Sequence, residues 1–408
     1  MKKAIISFAM IAFSLSGIAQ EALWSGTNVK SPVVNADGTV TFNIFAPKAS
    51  KVTVTGDFLP PRVVDTPAGK SEQPGSADLV EGRNGMWSYT TKKLSPELYS
   101  YKFHVNDMAV LDPANVYVNR DVASMTSIFI VSESKGDRGD IYRVNEVPHG
   151  NIEKVWYDSP TLKMHRRMTV YTPAGYDKGK NYPVMYLLHG AGGDEEAWTT
   201  LGRAAQVMDN LIAMGKAKPM IVVMPNGNPS CQAAPGEWSR GMYQPSFNDR
   251  SNPQNKPAAT MDESFPDIVK YIESHYKVAK GKRNRAICGL SMGGEHSFAT
   301  SKRFPDMFDY VGLFSAGLHI GQGNNKSFYE ALSSSDEVKG QLAKLFGSKP
   351  KLYWIAIGKT DFLYQQNADL RRYLDEKGYP YEYMETEGGH IWRNWRVYLT
   401  EFSQKIFR

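Results

Sequence analysis

From about residue 148 onward, short apolar runs alternate with helical patterns, and this alternation constrains the fold more than any other feature of the chain. Arg167–Tyr171, Val184–Leu188, Met220–Met224, Arg285–Cys288, Tyr310–Ser315 and Leu352–Ile357 read as strands. Leu201–Met214, Met261–Tyr276, Gly294–Arg303 and Gln366–Lys377 carry helical periodicity between or after them. Strands this apolar must be covered on both faces. The expected architecture for 148–408 is therefore an α/β domain: a doubly wound, mostly parallel sheet with helices on both sides.

The region before it is different in kind. Thr39–Gly56 (TVTFNIFAPKASKVTVTG) alternates apolar and polar residues in two runs around a turn at Pro47–Ser50. Met86–Lys92, Leu98–Val105 and Ser127–Val131 continue the strand pattern. Asn106-Asp107 and Asp112-Pro113 supply turn signals. Residues 24–133 are expected to form a small all-β sandwich, with a polar insert at Pro67–Ala77 in a loop and a linker over 134–147. With 408 residues, of which 41% are hydrophobic, the chain has material for two cores.

The first residues have the form of an export signal. Lys2 and Lys3 precede an apolar run from Ala4 to Ile18, and small residues follow. The run is about 15 residues, short of the roughly 20 that a bilayer requires, so residues 1–19 are expected to be cleaved. The expected location is periplasmic or secreted, without membrane insertion. Two cysteines, Cys231 and Cys288, exclude a disulfide-stapled miniature scaffold, and the scattered charge behind the net +6 gives no nucleic-acid surface.

Gly289-Leu290-Ser291-Met292-Gly293 follows the strand RAIC and precedes a helix. A hydroxyl held at such a turn is exposed to substrate while the next backbone N–H points at a developing oxyanion, so Ser291 is the candidate nucleophile. Gly289 and Gly293 let strand and helix approach. His189-Gly190-Ala191-Gly192-Gly193 follows the strand VMYLL, where a second oxyanion donor is expected; Ala191 and Met292 are the candidate donors. His390 lies in a late glycine-flanked loop and is the candidate base, with His319 its rival. Asp361, after the strand LYWIAI, is the candidate acid, with Glu385 and Glu387 as fallbacks. Trp238, Tyr243 and Trp392 are candidate substrate-stacking rings. The pattern holds no metal-ligand spacing and no phosphate loop, and no cofactor is expected.

Five stretches carry a family resemblance: YLLHGAGGDEEAW (186–198), IVVMPNG (221–227), AICGLSMGGEHSF (286–298), IGKTDFL (357–363) and EGGHIWRNW (387–395). They resemble the esterases of carbohydrate esterase family 1, which contains feruloyl esterases, acetylxylan esterases and relatives of enterochelin esterase. The resemblance implies an α/β-hydrolase fold, a Ser291–Asp361–His390 triad and oxyanion donors at Ala191 and Met292. It implies an ester substrate on plant cell-wall polysaccharide, feruloylated or acetylated xylan, with feruloyl groups on arabinoxylan ahead of acetyl groups. VTFNIFAPKASKVTVTGDF and WSYTTKKLSPELYSYKFHV resemble the β-sandwich of carbohydrate-binding module family 48. A glycan-binding protein without catalysis is the alternative of another class.

Overall fold

The computed structural model describes residues 28–66, 69–177, 180–238, 257–320 and 327–408. The expected leader at 1–19 and Tyr243 lie outside these residues.

The N-terminal part is an all-β sandwich. One sheet contains Val33–Val34, Val40–Phe45, Met86–Thr90 and Val80–Glu81. The other runs, in spatial order, through Val118–Asp121, Ser124–Val131, Glu97–Val105, Val52–Gly56 and Gly75–Asp78. Alternate residues of Val40–Phe45 and Val52–Gly56 are buried, as period two requires. Phe42, Tyr101, Phe103 and Phe129 meet edge to face between the sheets. Asn106 and Asp107 both take positive φ, the tight turn their sequence signalled.

Two expectations need correction here. Pro67–Ala77 is not simply a loop: Gly69–Gln73 pairs with Arg62–Thr66, and Gly75–Asp78 joins the larger sheet beside Val52–Gly56. Ladder bonds are made by the backbone, so a polar edge strand leaves no apolar alternation to read. The expected linker at 134–147 contains a helix, Arg138–Tyr142, capped by the Asp137 side chain. Asn210 donates to the carbonyls of Ile141 and Arg143, and a Cβ on Gly139 would meet the Val131 carbonyl. This segment is packed against both domains.

The C-terminal part is built on an eight-stranded sheet in the order Asn151–Ser159, Met164–Thr172, Ile221–Pro225, Val184–Leu188, Arg285–Leu290, Tyr310–Phe314, Leu352–Gly358, Glu382–Thr386. The first two strands pair antiparallel with their neighbours and the remaining pairs are parallel. Val184–Leu188 and Leu352–Gly358 are buried throughout, as central strands covered on both faces must be. One apolar cluster, around Phe265, Ile268 and Phe298, fills one face. Another, around Met208, Trp354 and Phe402, fills the other and includes Leu98 and Ile128 of the sandwich.

Candidate active site

The strand Arg285–Leu290 runs straight into the helix Met292–Arg303, with Ser291 at the corner. Ser291 takes φ 54°, ψ −114°, a conformation that non-glycine residues rarely adopt. Its N–H donates to the Phe314 carbonyl at 2.9 Å. The flanking glycines are required by close approach: a Cβ on Gly293 would lie 2.4 Å from the Leu188 carbonyl oxygen, and one on Gly289 would lie 2.7 Å from Gly293. Met292 opens the helix, where backbone N–H groups lack intrahelical partners.

The loop after Val184–Leu188 is held from within. His189 Nε2 accepts the Gly227 N–H at 2.7 Å, which leaves Nδ1–H to donate to the Gly190 carbonyl at 2.8 Å. Burial keeps this imidazole neutral by lowering its pKa. His189 is thus a bracket for the loop carrying Ala191.

His390 Nδ1 lies 3.0 and 2.9 Å from the two carboxylate oxygens of Asp361, which is buried and also accepts the Leu363 N–H at 2.9 Å. With Nδ1–H bonded to the carboxylate, the Nε2 lone pair is free to take a proton. The imidazole packs against Phe362 and the edge of Trp395. His319 instead bonds the Gly317 carbonyl. Glu385 accepts from Tyr364 and Tyr383, and Glu387 pairs with Lys359. None of the three makes the His390 contact.

Ser291, His390, Gly190, Ala191 and Trp392 line one cavity of about 570 Å³. Trp238 is not in it; this residue borders a separate shallow depression with Trp156, His165 and Glu237. Arg167 Nη1 donates to the Glu237 side chain at 2.7 Å, and its Nη2 donates to Glu196 at 3.2 Å. The sequence reading missed Phe362, which is 54% exposed beside His390. It also missed the sandwich residues Asn119, Arg120, Asp121 and Thr126, which line the same cavity. Phe362 adjoins Asp361 and could have been considered; the sandwich residues carry no local signal.

A family model described as "Putative esterase" matches residues 159–406. The chain belongs to this esterase family. A second model, carbohydrate-binding module 48 (isoamylase N-terminal domain), matches residues 26–117 of the esterase. The endo-1,4-beta-xylanase/feruloyl esterase of Xylanibacter ruminicola is 28% identical over 387 residues, 92% of this chain and 46% of that protein. The esterase therefore spans less than half the length of that relative. An acetyl esterase of Caldicellulosiruptor saccharolyticus is 26% identical over 252 residues, 56% of this chain and 85% of that protein. A solved ferulic acid esterase is 28% identical, with a TM-score of 0.50 over 64% of this chain and 99% of its own. The enterobactin esterase of Shigella flexneri matches 90% of this chain and 92% of its own with a TM-score of 0.58; at 15% identity this speaks for the fold alone.

Proposed function

We propose that the protein is a serine carboxylic-ester hydrolase in which Ser291, His390 and Asp361 form the triad. The observation that carries this is the buried Asp361 gripping His390 Nδ1 in a loop whose imidazole shares one cavity with the strained Ser291. Ser291 Oγ attacks the ester carbonyl as His390 Nε2 accepts its proton. Backbone N–H groups of Ala191 and Met292 hold the oxyanion, a contribution of about 3–4 kcal/mol per donor. His390 then protonates the departing alcohol, and water releases the acyl group from Ser291.

The preferred substrate is a feruloyl ester on arabinoxylan. The feruloyl esterase activity of the Xylanibacter relative and of the solved ferulic acid esterase supports it. Phe362 and Trp392 supply flat apolar surface at the cavity, the role expected of Trp238 and Tyr243. The acetyl esterase relative supports acetylxylan as a second reading. Comparing kcat/KM for methyl ferulate and acetylated xylan decides between them. Efficient deacetylation without ferulate release overturns the first reading. A serine-directed phosphonate tests catalysis itself: the protein should be labelled and the Ser291→Ala variant should not. An unlabelled wild-type protein would indicate a glycan-binding function without catalysis.

A further inference from the structure

The sandwich is part of the catalytic cavity. Its hairpin of Val118–Asp121 and Ser124–Val131 places Asn119, Asp121 and Thr126 in the lining of the cavity that also holds Ser291 and His390. The hairpin is pinned to the hydrolase domain through Arg120. Arg120 Nη2 lies 2.6 Å from Oδ2 of the buried Asp194, in the segment that continues the Ala191 loop. Asp121 lines the same cavity as Trp392, two residues past His390. At the tip, Val122 holds φ 52°, which a β-branched residue adopts only when its surroundings impose it.

The two sides of the cavity differ in chemistry. Its aromatic rings, Phe362, Trp392 and Trp395, come from the hydrolase domain, and the sandwich adds the polar Asn119, Asp121 and Thr126 beside apolar Val118 and Ile128. An aryl acyl group fits the first surface and a hydroxylated alcohol fits the second. Asp121 is the polar group best placed to read such an alcohol. Burial disfavours its charged form and pushes its carboxyl up, so its presence in the wall opposes stability unless a donor compensates.

We propose that the strand Val118–Asp121 forms the subsite for the alcohol half of the ester, with Asp121 accepting a hydroxyl of the sugar that carries the acyl group. This rests on the reading of Ser291 as nucleophile and of the substrate as a sugar ester. The sandwich thereby selects substrate within the active site itself.

The test compares methyl ferulate with a feruloylated arabinose-containing oligosaccharide, which share an acyl group and differ in the alcohol. Asp121→Ala should lower kcat/KM for the oligosaccharide ester roughly tenfold, the scale of a lost hydrogen bond to a charged group, and change methyl ferulate by less than about twofold. Asp121→Asn, which keeps one acceptor oxygen for the sugar hydroxyl, should fall between. Equal losses on both esters, or no loss on either, would overturn the proposal. Binding of the same oligosaccharide without its feruloyl group to Ser291→Ala, measured calorimetrically, separates this subsite from the feruloyl reading. If wild type hydrolyses neither ester, the feruloyl reading fails. The subsite then stands if Asp121→Ala weakens that binding and falls if it does not.

Discussion

Glu97 of the sandwich and Arg396 of the last helix form an ion pair at 3.1 Å, each side chain only 3% exposed. Arg396 also donates to the carbonyls of Leu98 and Leu201, and its guanidinium lies over the Tyr142 ring. Removing one partner of such a pair leaves a buried charge uncompensated, at a cost of about 3–5 kcal/mol. Arg396→Met should therefore lower the urea midpoint sharply. A loss below about 1 kcal/mol would show that the domains are not locked through this pair.

The same contacts argue against separating the domains. A chain starting at residue 148 exposes Arg396 and opens one wall of the cavity. It should lose activity on p-nitrophenyl acetate as well as on polymeric substrate. Full activity on the small ester would show that the hydrolase domain stands alone.

Arg120→Ala should slow turnover of every ester, because its partner Asp194 belongs to the segment that continues the loop of Ala191, the proposed oxyanion donor. We expect kcat to fall roughly tenfold with little change in KM, since small misplacements of catalytic groups are costly. Arg120→Lys should restore part of it. A change confined to KM would place Arg120 in substrate binding instead.

Asp361→Asn should keep the fold and reduce kcat about 10³–10⁴-fold, because the amide favours the wrong His390 tautomer. Circular dichroism and kcat on the same preparation check this. A loss of less than tenfold would require another acid.

His189 and His296 should make stability acid-sensitive. Burial, with the neighbouring His189 second, depresses His296 to about 3, and His189 is lowered too. Asp194 and Asp262 oppose these shifts, and Arg166 reinforces them. A histidine depressed in the folded state leaves stability intact above the unfolded value of about 6.5 and removes it as pH falls toward the folded value. Urea midpoints should thus drop between pH 7.5 and 5.5, and His296→Gln should flatten that slope. An unchanged slope would show that His296 is protonated without penalty.

Much of this protein is written locally. The alternation in Val40–Phe45, the continuous apolar run Val184–Leu188 and the glycines around Ser291 each report contacts within a few residues or within one strand–helix unit. Those signals determined the two fold types and the elbow, and chain order pointed to Asp361 and His390. Local pattern did not show that Gly75–Asp78 would pair with Val52–Gly56, or that 134–147 would contain the helix Arg138–Tyr142. It also placed Trp238 by loop proximity, whereas tertiary packing put this ring in another depression.

What only the tertiary structure decided is the composition of the cavity. Asn119, Arg120 and Asp121 look, in sequence, like polar residues on the surface of a sandwich strand. Their meaning comes from Asp194, which pairs with Arg120, and from Ser291, His390 and Trp392, which share their cavity. Polar side chains that face water and those that face a cavity follow the same alternation along a strand. Which of the two they face is set by what packs across from them.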